Sequence, residues 1–504
     1  MKGGVILFRG TGAAARRYVE ADRSRADEYY LGADNALSEY TVLDASGEVT
    51  AAMSLSAVEY EGWVDWHDPV TGESMGTPRN PGEGSKGSPL FAEMTINAPK
   101  SLSVAAALHP EVSSALDQAQ QDALGEIRRW LGQHSVIRVG PRDAREVLPI
   151  EQMQVVGIRH KTSRAGDPHR HIHMQIGTRV FAAGKWRALD TAALFKQQGA
   201  IRALGTAVIA AHPHLAQTLA EHGLTLDPVS GEVVELQPFN GVMSKRSAQI
   251  RRNLVRLEAE WETEHPGEAL GPIMTAKLQG IAWTHKRPGK KPTDLKNEQW
   301  WVQELRDAGY DPAAPRRSTV QRPVQLDELA VQEVASRALD RCAAASSAWT
   351  KHSMQEHVTR ITTEHGVQAT PAELREFIKI ATDLAVSDCF SVLPPGAATP
   401  EHVAHLTSLT VIAAETALRD RFAATTPEQE SKHPDMTDAA QVAGLNKGQA
   451  VAAAAVASSD PLVIVEGAAG SGKTTMLRTA IDVAAQHSRA SRVVAPTLRA
   501  AQED

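Results

Sequence analysis

Two cysteines, Cys342 and Cys389, are all that 504 residues contain. They are too few for a disulfide framework, and they fit a reducing cytoplasm. No apolar run approaches the ~20 residues that a membrane span needs. The opening Met1-Lys2-Gly3-Gly4 starts no secretory signal. A general coat of basic charge is also missing, since the net charge is -7 and the pI about 6.3. That argues against a wholly cationic nucleic-acid binder, but a local basic groove would be enough for one. No internal repeat is visible. What remains is ordinary for a folded chain: 42% hydrophobic and 22% charged residues, at a length that suggests two or three domains.

Residues 1 to about 310 read as one α+β unit. A strand is expected at Val5–Phe8, and a helix over Ala13–Tyr30. Pro78–Pro89 is rich in Gly, Pro and Ser and reads as a loop. Phe91–Ile96 alternates as a strand should, and Ser101–Leu108 and Val112–Leu131 carry helical spacing. Lys245, Arg246, Arg251, Arg252 and Arg256 crowd one helical segment, and Lys286, Arg287, Lys290 and Lys291 crowd a loop. Each run alone reads as a solvated face; together they could line a phosphate backbone. Residues 311–323 mark a boundary. A helical region and linker fill 311–440, and 441–504 form a last segment.

The most informative stretch is Asp167-Pro168-His169-Arg170-His171-Ile172-His173, preceded by His160 at the end of Val155-Val156-Gly157-Ile158. Residues two apart on a strand share a face. His171 and His173 therefore point one way, while Ile172, Met174 and Ile176 point to a buried face. An antiparallel pair joined by the loop Lys161–Arg170 would bring His160 to the same end. Three neutral nitrogen ligands leave a divalent cation its charge and open positions. By spacing alone His169 is an equal candidate, and surface histidines are the bland alternative.

Near the other end, Leu462–Val465 reads as a buried strand. It leads into Gly467-Ala-Ala-Gly470-Ser-Gly472-Lys473-Thr474-Thr475 and a helix over Met476–Gln486. This is the phosphate loop in its strand–loop–helix setting. Backbone N–H groups would cradle phosphates, Lys473 would reach the β- and γ-phosphates, and Thr474 would hold Mg²⁺ of ATP. A second strand is expected at Arg492–Val494. No Walker-B acid follows it in this sequence, so the loop reads as part of an incomplete P-loop domain with little ATPase activity, at the front of a longer protein.

Taken in order, these motifs resemble the MobF-type conjugative relaxases, the HUH endonucleases fused to a RecD-like helicase. His160-Lys-Thr-Ser-Arg164 through His173 resembles their metal segment. Met94–Ser103, with Ala98-Pro99-Lys100-Ser101, resembles the stretch after their acidic residue. Tyr18, with Tyr29-Tyr30, resembles their N-terminal tyrosines. Leu445-Asn446-Lys447-Gly448-Gln449 and Ala495-Pro496-Thr497 resemble their opening helicase motifs. The resemblance covers nearly the whole chain.

It implies an HUH domain with an antiparallel sheet and flanking helices, then a helical segment and a RecA-like α/β fragment. It implies a nickase acting on single-stranded DNA at an origin of transfer in plasmid conjugation, through a 5′-phosphotyrosine. The metal ligands would be His160, His171 and His173, with Mg²⁺ or Mn²⁺ as the ion; imidazoles would hold Mn²⁺, Ni²⁺ or Zn²⁺ more tightly than Mg²⁺. Tyr18 would attack, with Tyr29 or Tyr30 serving a second transfer. Glu93 would be the acidic helper, where the family usually has Asp. Lys100 and Arg164 would contact DNA, and Gln449 would join Gly467, Gly470, Gly472, Lys473 and Thr474 at the nucleotide. Relaxosome accessory proteins and a type IV secretion coupling protein would be partners. Two alternatives stay open: a water-using metal phosphodiesterase, and a non-catalytic DNA-binding or assembly fragment.

Overall fold

A computed structural model describes residues 4–22, 38–80, 82, 86–141, 145–163, 165–266, 270–285, 296–311, 314, 324–394, 399–425, 432–468 and 471–494. The chain forms two compact units, Met1–Ser408 and Leu409–Asp504.

The first unit contains the strands β1 (Ile6–Phe8), β2 (Ser38–Asp44), β3 (Val49–Leu55), β4 (Phe91–Asn97), β5 (Val136–Val139) and β6 (Glu146–Pro149). It continues with β7 (Gln152–Thr162), β8 (Pro168–Gly177), β9 (Arg179–Ala182) and β10 (Lys185–Ala188). Its helices begin with α1 (Gly12–Asp22), α2 (Ala57–Val64), α3 (Lys100–Leu108), α4 (Pro110–His134), α5 (Thr191–Ala210) and α6 (Pro213–Glu221). Then come α7 (Lys245–Glu264), α8 (Pro272–Thr284), α9 (Lys296–Asp307), α10 (Val331–Ala345), α11 (Lys351–Glu364) and α12 (Pro371–Ser387). A small ribbon of β11 (Phe390–Ser391) and β12 (Leu406–Thr407) ends the unit.

The main sheet runs β1-β4-β8-β7-β2-β3 and is antiparallel at every pairing; β9 joins β7, and β10 joins β9. One face carries Ile172, Met174, Ile176, Met94 and Ile96, all buried as the period-two pattern requires. Across that face lies α4, whose buried Val112, Leu116, Ala119, Ala123, Leu124, Ile127 and Leu131 form a stripe at helical spacing. Burying each Val, Leu or Ile of that stripe contributes roughly 1.5–3 kcal/mol. The β2–β3 turn also rests on α4. There Gly47 has φ +81°, and a Cβ on Gly132 would lie 2.4 Å from the Gly47 Cα, so neither position tolerates a side chain.

The opposite face carries a second core, where α1 and α2 supply Ala15, Val19, Tyr60, Trp63 and Val64 against Tyr40, Val42, Val156 and Ile158. The described part of the expected first helix runs to Asp22; residues 23–37 lie outside the described residues. The hairpin β2–β3 has no counterpart in the sequence reading. Helices α10–α12 pack on one another, α11 packs on α5 and α12 on α4, so contacts continue through the 311–323 boundary expected from sequence.

The second unit holds α13 (Leu409–Ala423), α14 (Thr437–Val442), α15 (Lys447–Val456) and α16 (Lys473–Gln486). Met436, Ala453, Met476, Ala480 and Val483 form its small core. The strands expected at Leu462–Val465 and Arg492–Val494 do not form: both segments are irregular, and Ile464 and Val494 are exposed. A strand exists through its ladder partner, and neither segment has one among the described residues.

Candidate active site

The histidine row follows from register. His160 on β7 stands opposite His171 on β8, and His173 stands opposite Ile158. Across the other edge of β8, His171 faces Asn97, His173 faces Thr95 and Gln175 faces Glu93. Cross-strand partners share a face, so His160, His171, His173, Gln175 and Glu93 lie on one side of the sheet. The three rings are 5.0–5.2 Å apart. One ligating atom from each lies within 4.8 Å of the other two. His160 and His171 are buried, and His173 is partly so.

Two of the rings are oriented from behind. His171 Nδ1 donates to the His169 carbonyl at 2.8 Å, and His173 Nδ1 donates to Glu93 Oε1 at 3.0 Å. Both therefore keep Nε2 for an ion, an arrangement that fixes tautomer and direction. Burial and the neighbouring imidazoles hold His171 well below the usual histidine value, which keeps it in the neutral, ligating form. His169 stands outside the group of three; its ring lies tilted against that of His171, with centroids 4.6 Å apart, and burial lowers it to about 3.

Glu93 is tied on both oxygens. Oε2 accepts from Gln175 Nε2 at 3.1 Å, and Gln175 Oε1 in turn accepts from the Tyr60 hydroxyl at 2.8 Å. Burial alone would raise the Glu93 carboxyl. The His173 and Gln175 hydrogen bonds and the charge of nearby imidazoles outweigh it and leave the carboxyl below its ordinary value. Tyr60 is fully buried, and burial raises its phenol. Gln175 and Tyr60 are absent from the sequence reading. The alternation that pairs His171 with His173 extends to Gln175; nothing in the sequence marks Tyr60 apart from other tyrosines.

Tyr18 lies on α1, partly exposed, and close enough to Tyr60 to act on its charge. The helix is fixed by Asp65, whose Oδ1 accepts from the Gly12 N–H at 2.8 Å, and by the Arg16–Glu61 pair at 3.1 Å. Tyr29, Tyr30 and Arg164 lie outside the described residues. Lys100, expected to contact DNA, has a hydrogen-bond partner within the protein. Its Nζ donates to the Pro168 carbonyl at 2.6 Å, and burial lowers the amine to about 8. It ties α3 to the start of β8.

The loop between the histidine strands is held from outside. Buried Asp167 accepts from the Lys245 N–H at 2.9 Å, and Trp301 Nε1 donates to the Gly166 carbonyl at 3.0 Å. The basic segment thus clamps the histidine hairpin through α7 and α9.

In the second unit, Gly472 has φ +73° and precedes α16. Lys473 Nζ donates to the Gly467 and Ala468 carbonyls, each at 2.7 Å. Gln449 Nε2 donates to the Ser471 carbonyl at 2.8 Å, and Thr474 is exposed. Gly470 lies outside the described residues. The loop brings Gly467, Gly472, Lys473 and Gln449 together.

The TrwC relaxase family model matches residues 12–308, and an AAA domain model matches residues 444–503. No curated protein matches the chain. Among solved structures, a copper-bound conjugative relaxase TrwC in complex with oriT DNA has 20% identity and a TM-score of 0.47, over 62% of this chain and 99% of that one. TrwC complexed with a 27-mer DNA comprising the recognition hairpin and cleavage site has 19% identity and a TM-score of 0.44, over 61% and 100%. A family match across more than half its length, on the residues that build the histidine sheet, means that this chain belongs to the TrwC relaxase family.

Proposed function

We propose that this chain nicks one DNA strand at an origin of transfer by metal-dependent tyrosine transesterification and stays joined to the cut end as a 5′-phosphotyrosine. The observation that carries this reading is the row of three imidazoles beside a carboxylate on one sheet face. The donor set fits a divalent ion, because His171 and His173 commit Nδ1 to acceptors and leave Nε2 for coordination. His160, His171 and His173 would hold the ion. When bound, it would draw charge from the oxygens of the scissile phosphate.

The protein's own groups do the rest. A phenol has a pKa near 10 and is a weak nucleophile at neutral pH, so position matters. Tyr18 sits on a helix pinned by Asp65 and Glu61. Its oxygen forms the new bond to phosphorus, the bond from phosphorus to the 3′-oxygen breaks, and the phenolic proton ends on the 3′-hydroxyl. No water enters, so the bond energy is kept and the strand can be rejoined. Glu93 keeps His173 in its ligating orientation. Single-stranded DNA is the substrate, with relaxosome accessory proteins and a secretion coupling protein as partners in the cytoplasm. No helix among the described residues is long and apolar enough to cross a membrane.

The test is a covalent adduct. The chain is incubated with single-stranded origin DNA and Mn²⁺, then run in SDS. We expect a protein–DNA band that Tyr18→Phe abolishes. Cleavage without any adduct would favour a water-using phosphodiesterase. Undiminished adduct in Tyr18→Phe would move the role to Tyr29 or Tyr30.

A further inference from the structure

A second cluster of ligating side chains lies away from the histidine row. His134 is the last residue of α4, His352 is in the first turn of α11, and Glu401 is in the loop before β12. One ligating atom from each lies within 4.8 Å of the other two. His134 Nδ1 is 2.6 Å from Glu401 Oε2. His352 Nε2 is 3.9 Å from the same oxygen, beyond hydrogen-bond reach. The two rings meet edge to face at 5.2 Å.

Each ligand is held by its own support. Trp130 packs on both rings, 4.2 Å from His134 and 5.2 Å from His352. Gln197 accepts from Trp130 Nε1 at 3.0 Å and donates to the His134 carbonyl at 2.8 Å, which fixes the end of α4 against α5. Thr350 caps α11 by accepting from the Ser353 N–H. The Glu401 loop is closed by the His405 and Leu406 N–H groups, both donating to the Trp349 carbonyl. Lys351, next to His352 in the chain, donates through Nζ to Asp383 at 2.9 Å. His352 is 2% exposed while the Glu401 side chain is 47% exposed, so the cluster is walled on one side and open to solvent on the other.

We propose that His134, His352 and Glu401 form a second metal site, for Zn²⁺ or a chemically similar divalent transition ion. Two imidazoles and one carboxylate are a zinc donor set, with water completing the tetrahedron on the open side. Mg²⁺ is not the expected ion, since it favours an all-oxygen octahedron. The ion would join α4, which backs the main sheet, to α11 and the Glu401 loop. It would act as a staple that locks the helices after residue 330 onto the sheet-bearing part. An ion that binds only the folded arrangement stabilises it by mass action.

The site is tested with CoCl₂ on the full chain, by stoichiometry and visible absorption. The wild type should take up two Co²⁺. The His160→Ala/His173→Ala double variant should keep one, with the visible absorption of a tetrahedral site, and Zn²⁺ should still raise its Tm. His352→Asn and the surface variant Glu401→Gln should each lose that ion, yet leave the other ion and DNA nicking intact; added to the double variant, each should abolish the remaining Co²⁺ and the Zn²⁺-dependent rise in Tm. Glu401→Gln guards against a folding defect in His352→Asn. Absence of bound Co²⁺ in the double variant would overturn the proposal, leaving a hydrogen-bonded ion pair only. So would retention of both ions in Glu401→Gln and His352→Asn.

Discussion

Alanine and glutamine at position 93 separate two things that the Glu93 carboxylate does. In the native protein one oxygen accepts from His173 Nδ1 at 3.0 Å and the other from Gln175 Nε2 at 3.1 Å. Glu93→Ala leaves both donors without an acceptor, in a place where the Glu93 side chain was 20% exposed. Each buried donor left unpaired costs roughly 1–3 kcal/mol, partly offset because no carboxylate is desolvated any longer. The variant should lose about 2–4 kcal/mol in stability. Removing the group that orients a metal-binding histidine typically costs about 10–100-fold in affinity, equivalent to roughly 1.4–2.8 kcal/mol. Glu93→Gln keeps the hydrogen bonds. Its amide oxygen can accept from His173 while its NH₂ donates to Gln175 Oε1. Gln175 then turns its own NH₂ to the Tyr60 hydroxyl, which can accept as well as donate. Only the negative charge is lost. This variant should stay within about 1 kcal/mol of the wild type, with affinity down by up to about tenfold. Urea unfolding of the metal-free protein and calorimetric titration with Mn²⁺ give both numbers. If Glu93→Ala binds Mn²⁺ as tightly as the wild type, Glu93 does not orient His173 and the reasoning fails.

The other predictions concern neighbours of that site. His171→Ala and His173→Ala should each reduce metal-dependent cleavage by about a hundredfold or more, the loss of a ligand being at least as severe as the loss of its support; His169→Ala should keep most of it, and equal loss in all three would discard the ligand assignment. Lys100 is lowered by burial from 10.5 to about 8, so between those values the unfolded chain holds more protons than the folded one. Stability should therefore rise as pH climbs from 8 to 10.5, by up to about 3 kcal/mol. Unfolding of Lys100→Met measured in parallel should lack that increment, and identical slopes would refute it.

How far the sequence could be read depended on whether the signal was local. Period two places His171 and His173 together, and the antiparallel hairpin turns His160 toward them; these are consequences of strand geometry alone. The α4 stripe was visible for the same reason at a different period. The β2–β3 hairpin was not, because Thr41, Ala51 and Ala52 carry too little apolar contrast for alternation to show. Tyr60 and Gln175 join the site through contacts 115 residues apart in sequence, which no window can see. The bond from Lys100 to the Pro168 carbonyl was not legible either, because main-chain oxygens leave no trace in residue type. The phosphate loop was recognised from glycine spacing, yet its flanking strands did not form, since apolar character supplies a strand's side chains and not its hydrogen-bonding neighbour.

The two hydrogen bonds that hold the histidine hairpin from outside set a practical constraint on shortening the protein. Asp167 accepts from the Lys245 N–H and the Gly166 carbonyl accepts from Trp301, so the turn between His160 and His171 leans on α7 and α9. A fragment cut after the last sheet strand would keep His160, His171 and His173 and lose both restraints. The ordering of that turn would then be charged to metal binding. Affinity measured on so short a fragment would understate that of the whole chain, so a truncation belongs beyond Asp307.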